Sequence, residues 1–229
     1  MNEDSLKDAK LQKAITKIHE AHPTRLGDRI FEGSFPRERL SLLAEQFYIQ
    51  EKWPSHIAYI YLALDDEGLA DLELVNYVIT IIKAENLSVG SKGIPHAALA
   101  RDFARFTGLT DEKLHKATPI PQNKAIMDWC DMSAIDRPWR DALAVQLACE
   151  SQVELMAKIA KGLQRHYGAS KDDIQFWLVH GGSVEKKHMN KGLALLTKHT
   201  SIKDMESVLY SYEMSFRLLV ELYDAIAGE

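Results

Sequence analysis

The sequence is poor in cysteine and has no long apolar run, and both absences exclude whole classes of protein. Its two cysteines, Cys130 and Cys149, form neither a disulfide framework nor a CxxC motif. No apolar run approaches the ~20 residues that a membrane-spanning helix needs. The N-terminal residues 1–10 are rich in charge and lack the apolar core of a signal peptide, so we expect a cytoplasmic protein with no membrane partner.

The chain also lacks an excess of basic residues and any pattern typical of β-strands. Its 28 Lys and Arg residues are scattered among 33 Asp and Glu, a formal net charge of −5, which argues against a nucleic-acid partner. No segment alternates polar and apolar residues between hairpin turns. With 229 residues, 46% of them hydrophobic, the chain can bury one sizeable core. We therefore predict a single all-α domain over residues 1–229, with a peripheral helix over 4–21.

Apolar residues at helical spacing predict a bundle of seven or eight helices. Pro54 is expected to break a helix near Trp53, because proline removes a backbone donor. Glycines in the segment 88–93 predict a loop. Further along the chain we predict a short helix around residues 127–130 and then one long helix from Pro138 to Gly168.

The main chemical motif lies in the segment FWLVHGGSVEKKHMNKGLAL, residues 176–195. Glu185 and His188 are three residues apart and share one helix face, as in the Glu-x-x-His pairs of two-metal sites in helical bundles. On a straight helix His180 would point ~140° away from Glu185, since each residue turns ~100°. A π-bulge would realign them, and two consecutive glycines allow irregular backbone there. We therefore predict a distortion within residues 181–184.

Other acids and histidines fall on or beside apolar helix faces, where a metal site could recruit them. Glu45 and Glu150 follow apolar stretches, whereas Glu85 and His96 flank the predicted glycine-rich loop. A buried carboxylate is costly unless it is paired or bound to a metal. Each residue alone could be an ordinary surface or ion-paired side chain. These acids and histidines lie one after another on four or five predicted helices. Together they favour a set of nitrogen and oxygen ligands suited to iron or manganese.

Two adjoining motifs, ACESQVELMAKIAKGLQRHYG and FWLVHGGSVEKKH, resemble the haem-oxygenase-like di-metal oxidases and oxygenases, especially their CADD-type and PqqC-like branch. LAEQFY, KAENL and IPHAALARDFARFTGL match upstream positions, so the resemblance covers roughly residues 35–225. It implies the haem-oxygenase-like helical bundle and two bound metals, either iron or mixed iron and manganese. The implied metal ligands are Glu45, Glu85, His96, Glu150, His180, Glu185 and His188.

The same resemblance implies an oxidoreductase with dioxygen as co-substrate. The two catalytic carboxylates would be Glu45 and Glu150. The substrate would be a small metabolite, such as an amino acid or a fatty acid derivative, and we expect a homodimer. Tyr48, His56 and Cys149 are weaker candidates for the substrate pocket. CADD-type para-aminobenzoate synthases consume a tyrosine of their own upstream of the first ligand, whereas this chain has no tyrosine before Tyr48.

Two alternatives stay open on the same fold. One is a TenA-like thiaminase or another cofactor-free hydrolase, with Cys149 as nucleophile, Glu213 as acid or base and Glu51 as a substrate contact. This reading leaves His180 and His188 unexplained. The other is a non-catalytic binding protein with a vestigial pocket. Metal content distinguishes the oxidase from both.

Overall fold

The computed structural model describes residues 3–52, 55–87 and 94–229, and all regular structure within these ranges is helical. The predicted break at Pro54 and the predicted loop over 88–93 lie outside the described residues. A short 3-10 turn, Arg37–Arg39, precedes α3. The α-helices are α1 (Glu3–Ala21), α2 (Leu26–Glu32), α3 (Leu40–Glu51), α4 (Ser55–Leu62), α5 (Asp66–Ala70), α6 (Leu72–Leu87), α7 (His96–Phe106), α8 (Asp111–Lys116), α9 (Pro121–Asp136), α10 (Trp139–Glu150), α11 (Val153–His166), α12 (Gln175–His180), α13 (Ser183–His199) and α14 (Met205–Ala227).

The described residues thus form fourteen α-helices, more than the seven or eight predicted. The long helix predicted from Pro138 to Gly168 is in fact two helices, α10 and α11, separated by Ser151 and Gln152. Neither glycine nor proline marks this break. The Ser151 hydroxyl donates to the Ala148 carbonyl at 2.7 Å, and the Ser151 amide bonds the same carbonyl, which tightens the last turn. The short helix predicted around residues 127–130 extends over all of α9.

Helix α10 is the centre of the molecule. Ten of its twelve residues are buried, and it packs against α4, α9, α13 and α14. Alanines such as Ala144 and Ala148 let these neighbours approach closely, which suits the dense packing of a protein core. One hydrophobic cluster draws mainly on α2, α3, α7, α11, α12 and the C-terminal part of α14, and a second draws mainly on α1, α4, α6, α10, α13 and the N-terminal part of α14. The C-terminal end of α10 therefore reaches the region where both clusters meet.

The predicted distortion within residues 181–184 takes the form of a helix break. Helix α12 ends at His180, and α13 begins at Ser183. Gly182 is extended, with ψ of 171°, so the two helices take different directions and no π-bulge is needed. A Cβ on Gly181 would lie 2.7 Å from the backbone nitrogen of Ala157 in α11. Only glycine fits this close approach of the junction to α11.

The remaining helices enclose this core. Helix α1 packs on α13 and α14 through the buried residues Leu11, Ile15 and Ile18. Among the helices in the described part of the chain, none is both long and apolar enough to cross a membrane.

Candidate metal centre

A cavity of about 140 Å³ lies beside the C-terminal end of α10. Apolar side chains such as Phe47, Ile126 and Leu219 line one part of it. The polar part contains four carboxylic acids and two histidines, contributed by six helices. These residues are Glu51, His56, Glu85, Glu150, His180 and Glu185. So many ionisable groups around one small cavity indicate a functional site rather than a packing defect.

Four side chains at this cavity converge on one point. Glu51, Glu85, His96 and His180 each offer one ligand atom, and these atoms lie within 4.8 Å of one another. Three of the four occupy helix ends, because Glu51 closes α3, His96 opens α7 and His180 closes α12. Carboxylate oxygens and imidazole nitrogens are ligands that iron and manganese accept in proteins. The donor set therefore fits a transition-metal ion.

His96 and Glu85 form the strongest pair in this group. His96 Nδ1 lies 2.7 Å from Glu85 Oε2 and 4.0 Å from Glu51 Oε2. Burial opposes charge on His96, but the hydrogen bond and the negative charge of Glu85 outweigh it and raise the pKa of His96 to about 9. Burial would likewise raise the pKa of Glu85, but its bond to His96 lowers that pKa overall. Without a metal the two residues are an ion pair.

His180 is held ready as a neutral ligand. Its Nδ1–H donates to the Phe176 carbonyl at 2.8 Å, which leaves the Nε2 lone pair free to bind a metal. Burial, followed by the charge on His96, lowers the pKa of His180 to about 4. The two imidazole rings meet edge to face, with centroids 4.6 Å apart. At neutral pH His180 thus presents the uncharged form that metals require.

Three acids at the cavity have strongly raised pKa values. Burial is the main cause in each, and neighbouring carboxylates add to it. The pKa of Glu51 rises to about 8, that of Glu150 to about 7 and that of Glu185 to about 9. Four carboxyl groups in one buried site repel one another unless protons or cations neutralise them. A bound divalent ion would relieve this repulsion, which is the second reason that the site fits a metal.

A chain of hydrogen bonds fixes Glu150 at the end of α10. The Gln146 amide donates to Glu150 Oε1 at 2.9 Å, and His56 Nε2 donates to Gln146 Oε1 at 2.8 Å. The Tyr77 hydroxyl donates to the other oxygen, Oε2, at 3.5 Å. A Cβ on Gly192 would collide with the Tyr77 hydroxyl, so this glycine makes room for the phenol. Both oxygens of Glu150 are therefore oriented by neighbouring side chains.

The structure brings most of the predicted ligands together. Glu85, His96 and His180 are in the converging group, and Glu150 and Glu185 line the same cavity. His188 lies on an adjoining cavity of about 220 Å³, which it shares with His96 and Glu185. Glu185 thus lines both cavities, whereas His188 lines only the adjoining one.

Glu45 is the exception, and its expected place is taken by Glu51. Phe47 and Glu51 are four residues apart on α3 and both line the cavity, whereas Glu45 precedes Phe47 by two residues and points ~160° away from it around the helix. Glu45 is half-buried elsewhere, and that burial raises its pKa. The signal for Glu51 was its position as the last acid before the predicted break at Pro54, where a helix end can turn toward a site.

Of the three weaker candidates for the substrate pocket, two line the cavity and one does not. His56 and Cys149 line the cavity, Cys149 together with Cys130. Tyr48 is not among the described residues that line either cavity, and its ring instead lies 5.5 Å from the Lys52 ammonium. The carboxylate of Glu213, the acid or base of the hydrolase alternative, lies 3.4 Å from Nε2 of His22, the residue after α1, and does not line the cavity either.

Comparisons with known proteins identify the family of the chain. A model of the family described as iron-containing redox enzymes matches residues 40–219. A 4-aminobenzoate synthase of Nitrosomonas europaea is 29% identical over 157 residues, which cover 65% of this chain and 62% of that protein. The matched part is therefore less than two thirds of that relative's length.

Solved structures share the whole fold. A domain of unknown function with a haem-oxygenase-like fold, from Shewanella denitrificans OS217, superposes with a TM-score of 0.75 at 14% identity, covering 99% of this chain and 92% of that one. A TenA homologue from P. horikoshii OT3 gives 0.74 at 14% identity, covering 97% and 98%. A TenA homologue from Pseudomonas syringae pv. tomato DC3000 gives 0.77 at 12% identity, covering 96% and 92%. At these identities the likeness establishes the haem-oxygenase-like fold alone.

Proposed function

Because the chain belongs to the family of iron-containing redox enzymes, we propose that it is a non-haem iron oxidase or oxygenase that acts on a small metabolite. One observation carries this proposal: two carboxylates and two imidazoles from four separate helices place ligand atoms within 4.8 Å of one another. A stable fold gains nothing from burying such groups unless something neutralises and organises them. A metal centre does both.

The ligand set divides naturally between two ions. Glu51, Glu85, His96 and His180 would hold one ion, and Glu150, Glu185 and His188 would complete a second position beside it. When bound, two iron ions, or one iron and one manganese, supply the electrons needed for reaction with dioxygen. The four carboxylates of the cavity, Glu51, Glu85, Glu150 and Glu185, would supply the negative charge that two such ions need.

The protein's own residues prepare the centre before metal arrives. At neutral pH Glu51 and Glu185, with pKa values of about 8 and 9, carry protons, and Glu150, with a pKa of about 7, is partly protonated, so metal binding would release protons from the cavity. Gln146 and Tyr77 orient the two oxygens of Glu150. The Phe176 carbonyl holds the His180 tautomer that leaves Nε2 free. Catalytic roles for Glu51 and Glu150 follow from their place in the cavity, and Glu51 replaces Glu45 in this assignment.

The cavity also limits the substrate. A volume of about 140 Å³, walled by Phe47, Met156 and Tyr223, admits a small molecule with an apolar part. An amino acid or a short fatty acid derivative has that character. The similarity to a 4-aminobenzoate synthase makes 4-aminobenzoate the first product to assay. Oxygen consumption with panels of amino acids and fatty acids should follow, and size-exclusion chromatography with light scattering tests the proposed homodimer.

Metal analysis with matched variants tests the proposal. After aerobic purification with iron, we expect about two metal ions per chain, as in the di-metal bundles. Glu51→Gln and His180→Ala should each lose bound iron, whereas the matched control Glu45→Gln, on the same helix, should retain it. Absence of tightly bound metal from the wild-type protein, or equal loss in the Glu45 and Glu51 variants, would overturn the assignment.

A cofactor-free hydrolase of the TenA kind is the second candidate, because Cys149 lines the cavity. Its proposed acid or base, Glu213, instead bonds to His22 outside the cavity. The hydrolase proposal predicts that metal-free protein cleaves thiamine and that Cys149→Ala abolishes the cleavage. The oxidase proposal predicts no thiamine cleavage by the metal-free protein.

A further inference from the structure

The adjoining cavity, of about 220 Å³, connects the candidate metal centre with the protein surface. Two of its lining side chains, Leu178 and Val184, are 38% and 55% exposed, so the cavity reaches solvent. Its lining also includes His96 and Glu185, which are only 3% and 9% exposed. The cavity therefore extends from exposed apolar side chains to two of the buried candidate ligands.

The break between α12 and α13 forms the mouth of this cavity. Leu178 and Val179 come from the last turn of α12, whereas Gly182, Ser183 and Val184 come from the start of α13. Because the backbone leaves helical geometry at Gly182, side chains from two helices surround one opening. The two exposed side chains of the opening, Leu178 and Val184, are called the mouth residues below.

Nitrogen and oxygen ligands line the adjoining cavity from its partly exposed to its buried part. His188 is half-buried, whereas Glu185 and His96 are buried. Glu185 lines the main cavity as well. His96 belongs to the converging group, and its Nδ1 lies 2.7 Å from Glu85 Oε2. Imidazole and carboxylate groups therefore extend from the half-buried His188 to the buried centre.

A divalent ion needs such a series of ligands to cross a protein interior. Removal of an ion from water is costly unless protein ligands replace its hydration shell. Exchange of water for His188, then Glu185 and then His96 would keep the ion coordinated at each step. The main cavity instead offers a largely apolar wall, with side chains such as Phe47 and Leu219, which suits a substrate better than an ion in transit.

We propose that the adjoining cavity is the entry path for metal ions, which pass between Leu178 and Val184 to reach the centre. His188 is the first ligand that an incoming ion meets, and Glu185 is the ligand that the path and the main cavity share. This proposal rests on the proposed function, because it requires a metal centre. The mouth residues offer no ligand atom, so they determine the rate of metal binding and not its affinity.

Stopped-flow measurements with Co²⁺ test the proposal without any catalytic assay. Mixing of Co²⁺ with the metal-free full-length protein measures uptake, and transfer of bound Co²⁺ to excess EDTA measures release, both through the visible absorption of the bound ion. Val184→Trp and Leu178→Trp each place a large ring at the mouth, on different helices. An obstruction raises the barrier equally in both directions, so we expect uptake and release each to slow ~10-fold with an unchanged dissociation constant.

Two further tryptophan variants are the matched controls. Lys186, on α13, is exposed, is not among the described residues that line either cavity and points ~160° away from Val184 around the helix. Lys186→Trp should therefore keep the wild-type rates. Gln50, on α3, is half-buried and lines the main cavity. Gln50→Trp should also keep these rates, because entry does not pass the end of α3.

Other results would overturn the entry path. Wild-type rates in both mouth variants, or equal slowing in Lys186→Trp, would show that ions do not pass between Leu178 and Val184. Slower rates in Gln50→Trp alone would place entry at the end of α3. A changed dissociation constant without matching changes in both rates would show that the mouth residues act on the centre itself. These outcomes leave the metal centre in place, whereas a wild-type protein that binds neither Co²⁺ nor iron would refute the proposed function and the path together.

Discussion

Substitution of Gly181 tests how the α12–α13 junction supports the candidate site. A Cβ at this position would lie 2.7 Å from the nitrogen and 2.8 Å from the Cα of Ala157, and 2.9 Å from the Trp177 carbonyl oxygen. All three are backbone atoms, so none can move aside by a side-chain rotation. The backbone angles of Gly181, φ −86° and ψ 6°, are open to any residue. Any effect of Gly181→Ala therefore comes from packing and not from backbone strain.

The magnitude follows from two opposing contributions. Forcing an extra methyl group into a packed interior destabilises a protein by ~1–3 kcal/mol. Replacing glycine by alanine removes conformational freedom from the unfolded chain and returns ~0.4–1 kcal/mol. We expect Gly181→Ala to lower the free energy of unfolding by about 1–2 kcal/mol. Urea denaturation of the metal-free protein measures this difference.

The neighbouring glycine is the matched control. A Cβ on Gly182 would lie 3.1 Å from the carbonyl oxygens of Leu178 and Val179, a contact that a shift of a few tenths of an ångström relieves. Gly182→Ala should therefore lower stability by less than about 1 kcal/mol. Because the junction carries His180 and Glu185, only the Gly181 variant should also lose iron. An unchanged urea midpoint and iron content in Gly181→Ala, or equal effects in both variants, would refute this reasoning.

Three further predictions concern charge and hydrogen bonding. The three cavity acids with raised pKa values, and His96, bind more protons in the folded than in the unfolded metal-free protein. The free energy of unfolding of the metal-free protein should therefore fall as pH rises from 6.5 to about 9. Urea denaturation at several pH values measures this change. A rise over that range would contradict the burial of these groups. Gln146→Leu should weaken iron binding ~10-fold in chelator competition, because Glu150 loses an orienting donor; unchanged affinity would contradict this. Asp71→Asn should lower stability by ~1 kcal/mol in urea without changing iron content, because Asp71 caps α6 and bonds His199 far from the cavity; iron loss would contradict that separation.

The sequence carried enough information for the fold class and for most of the residues that the structure brings to the cavity. Helical periodicity and the absence of strand patterns predicted the all-α class, and the resemblance to the haem-oxygenase-like fold is confirmed. His96 and His180 could be proposed because each stands at a helix end beside a proline or a glycine, and Glu85 because it lies across the predicted loop from His96. The need for a distortion after His180 followed from helix geometry alone, although its form as a full break did not.

Two features escaped prediction for identifiable physical reasons. The break between α10 and α11 has no glycine or proline, because a serine side chain and a tightened turn produce it. The choice of Glu51 over Glu45 depends on which face of α3 meets the cavity. Glu45 follows an apolar stretch, whereas Glu51 stands between Gln50 and Lys52, so the local sequence favours Glu45.

The position of the candidate ligands at helix ends has a consequence for how metal and fold would depend on each other. Glu51, His96, Glu150 and His180 each begin or end a helix. A bound ion would act there as a cross-link between segments that lie far apart in the sequence, and it would remove entropy from the unfolded chain as a covalent staple does. Removal of the ion by a chelator would break all of these metal–ligand bonds together. Metal loss and loosening of the helix ends should then occur together, as hydrogen exchange at these four termini can show.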